Sequence, residues 1–246
     1  MNLISQSKAM IFAAGLGTRL KPFTDQHPKA LAVVNGKTLL QRNLEYLQAV
    51  GISDFVINVH HFADQIIDEL KRLSSQNLTI HISHEVEGPY ETGGGLAFAS
   101  EFLTNSGHPF FLMNVDILTN LDLVGLFDYH QKINPLVTLA VTNRMSSRQF
   151  LFDDEMKLVG WRNNKSGEVK WADKEVENAV PFSFSGIHMI DPKLFEYLPN
   201  KGTFSIVDIY LRVAKDELII GYDHSGDLIL DVGKPEALEK AQTLFQ

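Results

Sequence analysis

Cysteine is absent from the 246 residues. Disulfides, thiolate nucleophiles and cysteine-ligated zinc or iron–sulfur sites are therefore excluded. A reducing, cytoplasmic setting is the expectation that suits such a chain. Positive charge is in short supply: 22 Lys and Arg stand against 30 Asp and Glu, a net charge of −8. That balance argues against a protein whose main work is coating nucleic acid or an anionic membrane. It does not forbid a phosphorylated small molecule, which a few local donors can hold against the overall sign. No apolar run reaches the about 18 residues of a membrane span. The first residues lack a basic start followed by an apolar stretch, so no signal peptide is expected, and residues 1–7 read as a loose tail. The nine histidines show no compact metal-ligand spacing. His60 and His61 are adjacent at a strand end, where successive side chains point to opposite faces.

What is present describes an ordinary globule, 44% hydrophobic and 21% charged, able to bury a sizeable core. Strand-like and helix-like segments alternate from the start. Residues 9–14 are short and apolar, then break into a glycine loop. Thr38 and Gln41 match a capping box for a helix carrying Leu40, Leu44 and Leu47 on one face, with Gly51 as its stop. Residues 54–60 read as a buried strand, Ile66, Ile67 and Leu70 as a helix face, and residues 78–83 as a strand. Thr92 is expected to cap a helix reaching about Leu103. Residues 109–115 form a dense apolar strand ending at Asp116. Asp122 caps a further helix, and residues 136–141 make the next strand. This alternation predicts parallel strands with helices on both faces. The texture turns polar at residues 142–180, which are expected to form one or two hairpins projecting as a lid or added sheet. Residues 182–190, 218–222 and 227–232 read as late strands. Ser205 starts a helix, and Pro235 suits the first turn of a terminal one. The whole, 1–246, is expected to be a single domain with that insert.

The chemistry concentrates after the first strand, at Ala14-Gly15-Leu16-Gly17-Thr18-Arg19-Leu20, with Pro22, Thr24, Pro28 and Lys29 beyond. A glycine-rich turn there lets backbone N–H groups approach a phosphate closely. Arg19 and Lys29 add fixed positive charge, which phosphoryl transfer needs. A dinucleotide fingerprint is excluded because position 20 is Leu, and a Walker loop because no Gly-Lys-Ser/Thr follows. Asp116 and Asp231 each end an apolar run. A lone buried carboxylate is costly, whereas a magnesium ion takes one or two carboxylates together with phosphate oxygens and water. Capping of a following turn is the other reading of each aspartate. Thr92 and the three glycines after it can open a helix, or can let a base or sugar lie against the backbone.

These segments resemble the sugar-1-phosphate nucleotidyltransferases, the nucleotide-sugar pyrophosphorylases, over nearly the whole chain. Gly15 to Lys29 is similar to their signature loop. Glu91-Thr92-Gly93-Gly94-Gly95 resembles the segment lining nucleobase and sugar. Asn114-Val115-Asp116 and Leu230-Asp231-Val232-Gly233 resemble the two metal-aspartate strand ends, and Phe184-Ser185-Gly186-Ile187 a sugar-pocket strand. The short N-acetylmuramate-1-phosphate uridylyltransferases and mannose-1-phosphate guanylyltransferase-like proteins are the most similar members.

The resemblance implies a Rossmann-like α/β fold of the nucleotide-diphospho-sugar transferase type, a mostly parallel sheet with a small β-rich lobe. It implies that an NTP, UTP or GTP favoured, reacts with a sugar 1-phosphate, with Mg²⁺ on Asp116 and Asp231 and neither nucleic acid nor membrane as partner. Arg19 and Lys29 would be catalytic. Ala14, Gly15, Gly17, Thr18, Thr92 and Gly93 would bind nucleotide, and Gly94, Ser185 and Gly186 the sugar. Two departures stand out. Val115 replaces the glycine usual before the first metal aspartate, and is expected to crowd a close-lying ligand. The Glu-Lys-Pro tripeptide, whose lysine often binds the sugar phosphate, is missing; Lys165, Lys170 and Lys174 in the polar insert read as solvated surface residues. Transfer to a non-sugar phosphate such as phosphocholine, or nucleotide sensing without turnover, are the rival readings.

Overall fold

The computed structural model describes residues 3–73 and 77–245. The chain enters through a short 3-10 helix, Leu3–Gln6, and buries Ile4 completely. Lys8 follows, its ammonium donating to the Phe102 carbonyl at 2.7 Å and paired with Asp54 at 3.2 Å. The loose tail expected here is therefore replaced by an anchored segment from residue 3 onward; residues 1 and 2 lie outside the described residues.

Strand β1 (Ala9–Phe12) leads into the glycine loop and three single-turn 3-10 helices. A two-residue hairpin, β2 (Val33–Val34) and β3 (Lys37–Thr38), turns on Asn35 and Gly36, whose φ values of 47° and 78° are what such a tight turn requires. Thr38 then caps α1 (Leu39–Gln48), accepting from the Gln41 amide at 3.1 Å. Next come β4 (Asp54–Val59), α2 (Ala63–Leu73), β5 (Thr79–His84), α3 (Glu91–Phe98), α4 (Ser100–Leu103), β6 (Phe110–Asn114), β7 (Ile117–Thr119), α5 (Leu123–Ile133) and β8 (Val137–Thr142). The polar stretch contributes β9 (Arg148–Phe152), β10 (Leu158–Asn163) and β11 (Val169–Trp171). The long β12 (Val180–Ile190), α6 (Ile206–Val213), β13 (Ile219–Asp223), β14 (Ile229–Asp231) and α7 (Pro235–Leu244) complete the chain.

Strands β5, β4, β1 and β6 are mutually parallel. β12 pairs antiparallel with both β6 and β8, so β8 runs in the direction of β6, and β13 is parallel to β8. Only β12 reverses the central sheet. It is 11 residues long, and its first residues leave the central layer to pair with β9, carrying the β9–β10–β11 meander as a continuation of the same sheet. The change of direction is a bulge between Phe184 and His188, where Gly186 adopts φ +74°. The polar insert is thus a three-stranded meander hung on β12.

Alternation along the strands sorts the core into two faces. Ile11, Phe55 and Ile57 pack with Leu40, Leu44, Ile66, Leu70 and Phe127, from α1, α2 and α5. Met10 and Val56 pack with Leu96, Leu103, Ile206 and Tyr210, from α3, α4 and α6. The helix expected from Thr92 to Leu103 is broken at Ala99 into α3 and α4, and Tyr90 rather than Thr92 occupies its N-cap position. The Thr92 hydroxyl instead accepts from the Ile206 amide at 3.1 Å, helping Ser205 to cap α6.

Candidate active site

The carboxyl ends of β1, β4 and β6 lie side by side, and open α/β sheets bind ligands at that edge. A cavity of about 240 Å³ opens there, floored by Phe12, Asn58 and Asn114, the strand-end residues. Ala14, Gly15, Lys29, Thr92 and Asp116 wall it.

The glycine loop is shaped by contacts that leave no room for side chains at one position and open space at another. The Ala13 amide donates to the Asn58 carbonyl at 2.9 Å, tying the loop to β4. Gly17 has φ +63°, and a Cβ there would sit 2.8 Å from Thr24 Cγ2 and 3.1 Å from Lys29 Cβ. The Thr24 hydroxyl donates to the Gly17 carbonyl at 2.9 Å. This close approach seats Lys29 against the loop. A Cβ on Gly15 would meet nothing within 4 Å, so that face is open.

Lys29 reaches across the cavity to Asp116, Nζ to Oδ2 2.5 Å, with side chains only 16% and 10% exposed. Asp116 immediately precedes β7, which pairs antiparallel with β14 so that Ile117 faces Asp231. The Val232 amide donates to the Asp116 carbonyl at 2.8 Å, locking the two aspartate backbones together. Burial and the Asp116 charge push the Asp231 carboxyl above its usual range, while Arg19 and Lys29 pull it down. Arg19 lies 3.9 Å from Asp231 at the open rim, where both side chains are about half exposed. A Cβ on Gly233 would come within 2.8 Å of the Arg19 guanidinium, so this glycine makes room for it. Two carboxylates that repel each other, flanked by two cations, form a site for a hard cation or for a polyanion that displaces the cation–carboxylate contacts. Among the described residues no cluster of three or more His, Cys, Asp or Glu could cage a metal on its own.

Comparison with known proteins fits this geometry. The family model for nucleotidyl transferase matches residues 8–151. The N-acetylmuramate alpha-1-phosphate uridylyltransferase of Caulobacter vibrioides is 32% identical over 237 residues, covering 93% of both chains. The chain belongs to the sugar-1-phosphate nucleotidyltransferases. A mannose-1-phosphate guanyltransferase of Aspergillus oryzae is 29% identical over 97% of this chain, which spans 64% of that relative's length. A crystal structure of a glucose-1-phosphate thymidylyltransferase, described as putative, from Bacillus anthracis superposes with a TM-score of 0.80 at 17% identity, covering 97% of this chain and 94% of that one, which is a likeness of fold.

Not every residue expected in a nucleotidyltransferase pocket lies on this cavity wall. Gly93 and Gly94 sit behind it: their amides both bond to the Phe204 carbonyl, at 2.9 and 3.2 Å. A Cβ on Gly93 would strike the Phe204 ring at 2.5 Å, and one on Gly94 the Gly202 carbonyl at 2.2 Å. These glycines serve close packing of α3 against the 200–204 loop, where added side chains have no room. Ser185 is fully buried, its hydroxyl 2.7 Å from His224 Nε2, so it is no wall residue either. Burial lowers the His224 pKa, opposed by Asp227 at 3.3 Å. Gly186 belongs to the β12 bulge, where a Cβ would lie 2.6 Å from Ile117 and 3.1 Å from the Asn114 amide. Val115 is 2% exposed, its carbonyl is held by Asn43 at 2.8 Å, and it borders the same cavity beside Asp116.

Glu85, Glu91 and Asn58 also line the cavity, though the sequence did not single them out as individual site residues. Glu85 is 1% exposed; it accepts from the Asn58 amide at 2.7 Å and the Tyr90 backbone at 2.8 Å. It thereby folds residues 85–90 over the cavity, and a Cβ on Gly95 would press on it at 2.6 Å. Glu91 adopts φ +58°, a costly conformation for a side-chain-bearing residue, at the cavity edge. Asn58 had a readable signal, a lone amide inside the apolar Phe55-Val56-Ile57-Asn58-Val59 run. Glu85 had none, because its role depends on loop geometry, whereas Glu91 opens the Glu91–Gly95 segment that resembles a nucleobase and sugar lining.

Proposed function

We propose that the protein transfers the nucleotidyl group of an NTP to a sugar 1-phosphate, giving an NDP-sugar and pyrophosphate. The observation that carries this reading is the Lys29–Asp116 pair beside Asp231 and Arg19, at the rim of a cavity floored by three parallel strand ends. A phosphate oxygen of the sugar 1-phosphate attacks the α-phosphorus in line. The bond from that phosphorus to the bridging oxygen breaks, and pyrophosphate leaves with the electron pair. The attacking monoester is already anionic near neutral pH, so no strong general base is required.

The amides of Ala14, Gly15, Gly17 and Thr18 face the triphosphate, and Arg19 holds the departing pyrophosphate. Lys29 moves from Asp116 to the charge that grows at the α-phosphate. Thr92 borders the nucleoside, and the Glu85-held loop closes over it. Gly186 lets the β12 bulge close against Ile117 and Asn114 on the sugar side, and Gly93, Gly94 and Ser185 shape the site from behind. The donor set fits Mg²⁺: two hard carboxylates, Asp116 and Asp231, leave the remaining positions to phosphates and water. When bound there, Mg²⁺ would neutralise and align the phosphates of the two substrates. The relatives named for uridylyl and guanylyl transfer make UTP and GTP the first nucleotides to try.

The test is a matrix of NTPs against sugar 1-phosphates and phosphocholine, read by pyrophosphate release with and without Mg²⁺. Turnover with a sugar 1-phosphate, abolished in Asp116→Ala, is expected. Turnover with phosphocholine alone would reassign the acceptor. Tight NTP binding by calorimetry with no pyrophosphate released under any pairing would make the protein a nucleotide sensor.

A further inference from the structure

The acceptor brings its own anion to the site, and the usual lysine for it is missing from this sequence. None of the four lysines of residues 142–180 replaces it: Lys170 is paired with Asp208 at 2.9 Å, Lys157 is paired with Glu155, and Lys165 and Lys174 are exposed. Arg162 spends its fork on a neutral partner, Gln149, at 3.1 and 2.7 Å.

Arg144 is placed differently. It lies two residues beyond the end of β8, which runs parallel to β6, so it emerges at the same sheet edge as Asp116. Its Nη2 donates to the Phe184 carbonyl at 2.8 Å, next to the Gly186 bulge that touches Ile117 and Asn114. The Ser183 hydroxyl donates to the Arg144 carbonyl at 2.6 Å, and the adjacent Asn143 amide is held by Ser225 at 2.8 Å, so the loop carrying it is fixed from both sides. Burial pulls the Arg144 pKa down, and the charge of Asp231 opposes it.

What Arg144 lacks is an anion. No carboxylate lies within ion-pair distance of it among the described residues, and its Nε is buried without any hydrogen-bond partner. A half-buried guanidinium with an unused N–H is costly, and its Nη1 hydrogens and the second Nη2 hydrogen remain to donate to phosphate or carboxylate oxygens. We infer that Arg144 binds an anionic oxygen group of the acceptor, either its 1-phosphate or a carboxylate carried on its sugar ring.

This inference rests on the nucleotidyltransferase reading, and the test separates the two. Wild type, Arg144→Gln and Arg144→Lys are compared with glucose 1-phosphate and glucuronic acid 1-phosphate as acceptors. Thermal unfolding checks that each variant is folded. The acceptor KM is expected to rise about 30-fold or more in Arg144→Gln, the scale of a lost charge-assisted fork, with the NTP KM within about threefold of wild type and partial recovery in Arg144→Lys. A rise shared by both acceptors assigns the phosphate; a rise confined to glucuronic acid 1-phosphate assigns the carboxylate. An unchanged acceptor KM, or equal losses for acceptor and NTP, overturns the inference. If wild type shows no turnover, the transferase reading fails by itself. Calorimetric titration with the same two sugar phosphates then decides Arg144, since equal affinity in wild type and Arg144→Gln overturns it and a loss of the same size supports it.

Discussion

Lys29 is held 2.5 Å from Asp116 by a loop that tolerates no Cβ at Gly17. That placement makes it an ammonium poised between a carboxylate and the space an α-phosphate would take. Lys29→Met is expected to lower kcat/KM for pyrophosphate release by about 10²–10³-fold, the range for one charge-stabilising donor. Retention of a tenth or more of the wild-type value would remove Lys29 from that role. Two glycines make a contrasting pair. At Gly94 an added methyl meets the Gly202 backbone carbonyl at 2.2 Å, which cannot swing aside. Gly94→Ala is therefore expected to cost about 1–3 kcal/mol in urea unfolding. At Gly15 the methyl meets nothing; Gly15→Ala should unfold like wild type but raise the NTP KM, because the space it fills faces the cavity. Equal stability in the two variants would contradict the packing assigned to α3.

Among the elements, helix starts were legible because capping is local. Thr38, Asp122 and Ser205 each accept an amide from the first turn of α1, α5 and α6, as their sequence positions suggested. Ser205→Ala is expected to cost about 1 kcal/mol with an unchanged m-value, unless the Thr92 hydroxyl at the Ile206 amide takes over the whole capping load, in which case the double variant alone shows the loss. Thr92 itself shows where local reading stops. A threonine before a helical run resembles a cap, yet its partner is 114 positions away in the chain. The break at Ala99 and the bulge in β12 likewise answer to neighbours distant in sequence.

Across the whole molecule, burial of uncharged histidines contributes to the loss of stability in acid. Desolvation lowers His130 to about 4 and His188 to about 3. Both are neutral when folded and gain protons on unfolding below the ordinary histidine pKa of about 6.5. Their contribution is complete above pH about 6.5 and is lost as the pH falls toward those folded-state values. Folding free energy measured by urea from pH 7 to 4 should therefore fall more gently in His188→Gln than in wild type, by up to about 1.4 kcal/mol per pH unit. Parallel curves would mean that His188 takes up its proton without unfolding. The net charge of −8 is also resolved at this scale. Acidic residues outnumber basic ones overall, while Arg19, Lys29 and Arg144 set cations beside Asp116 and Asp231 at one sheet edge.

The sequence by itself determined the alternation of strands and helices, the glycine loop with Arg19 and Lys29, and the two aspartates at strand ends. Each is written in residues close together along the chain, through periodicity, turn chemistry and the cost of leaving a carboxylate on an apolar run. Only the tertiary structure decided what those residues face. It joined Asp116 to Asp231 by pairing β7 with β14, across a separation no local pattern encodes. It packed Gly93, Gly94 and Ser185 against neighbours distant in the chain, and it left the Arg144 Nε buried without a partner. Contacts of that kind depend on which distant segments a sheet brings within a few ångströms, and that is settled only when the core closes.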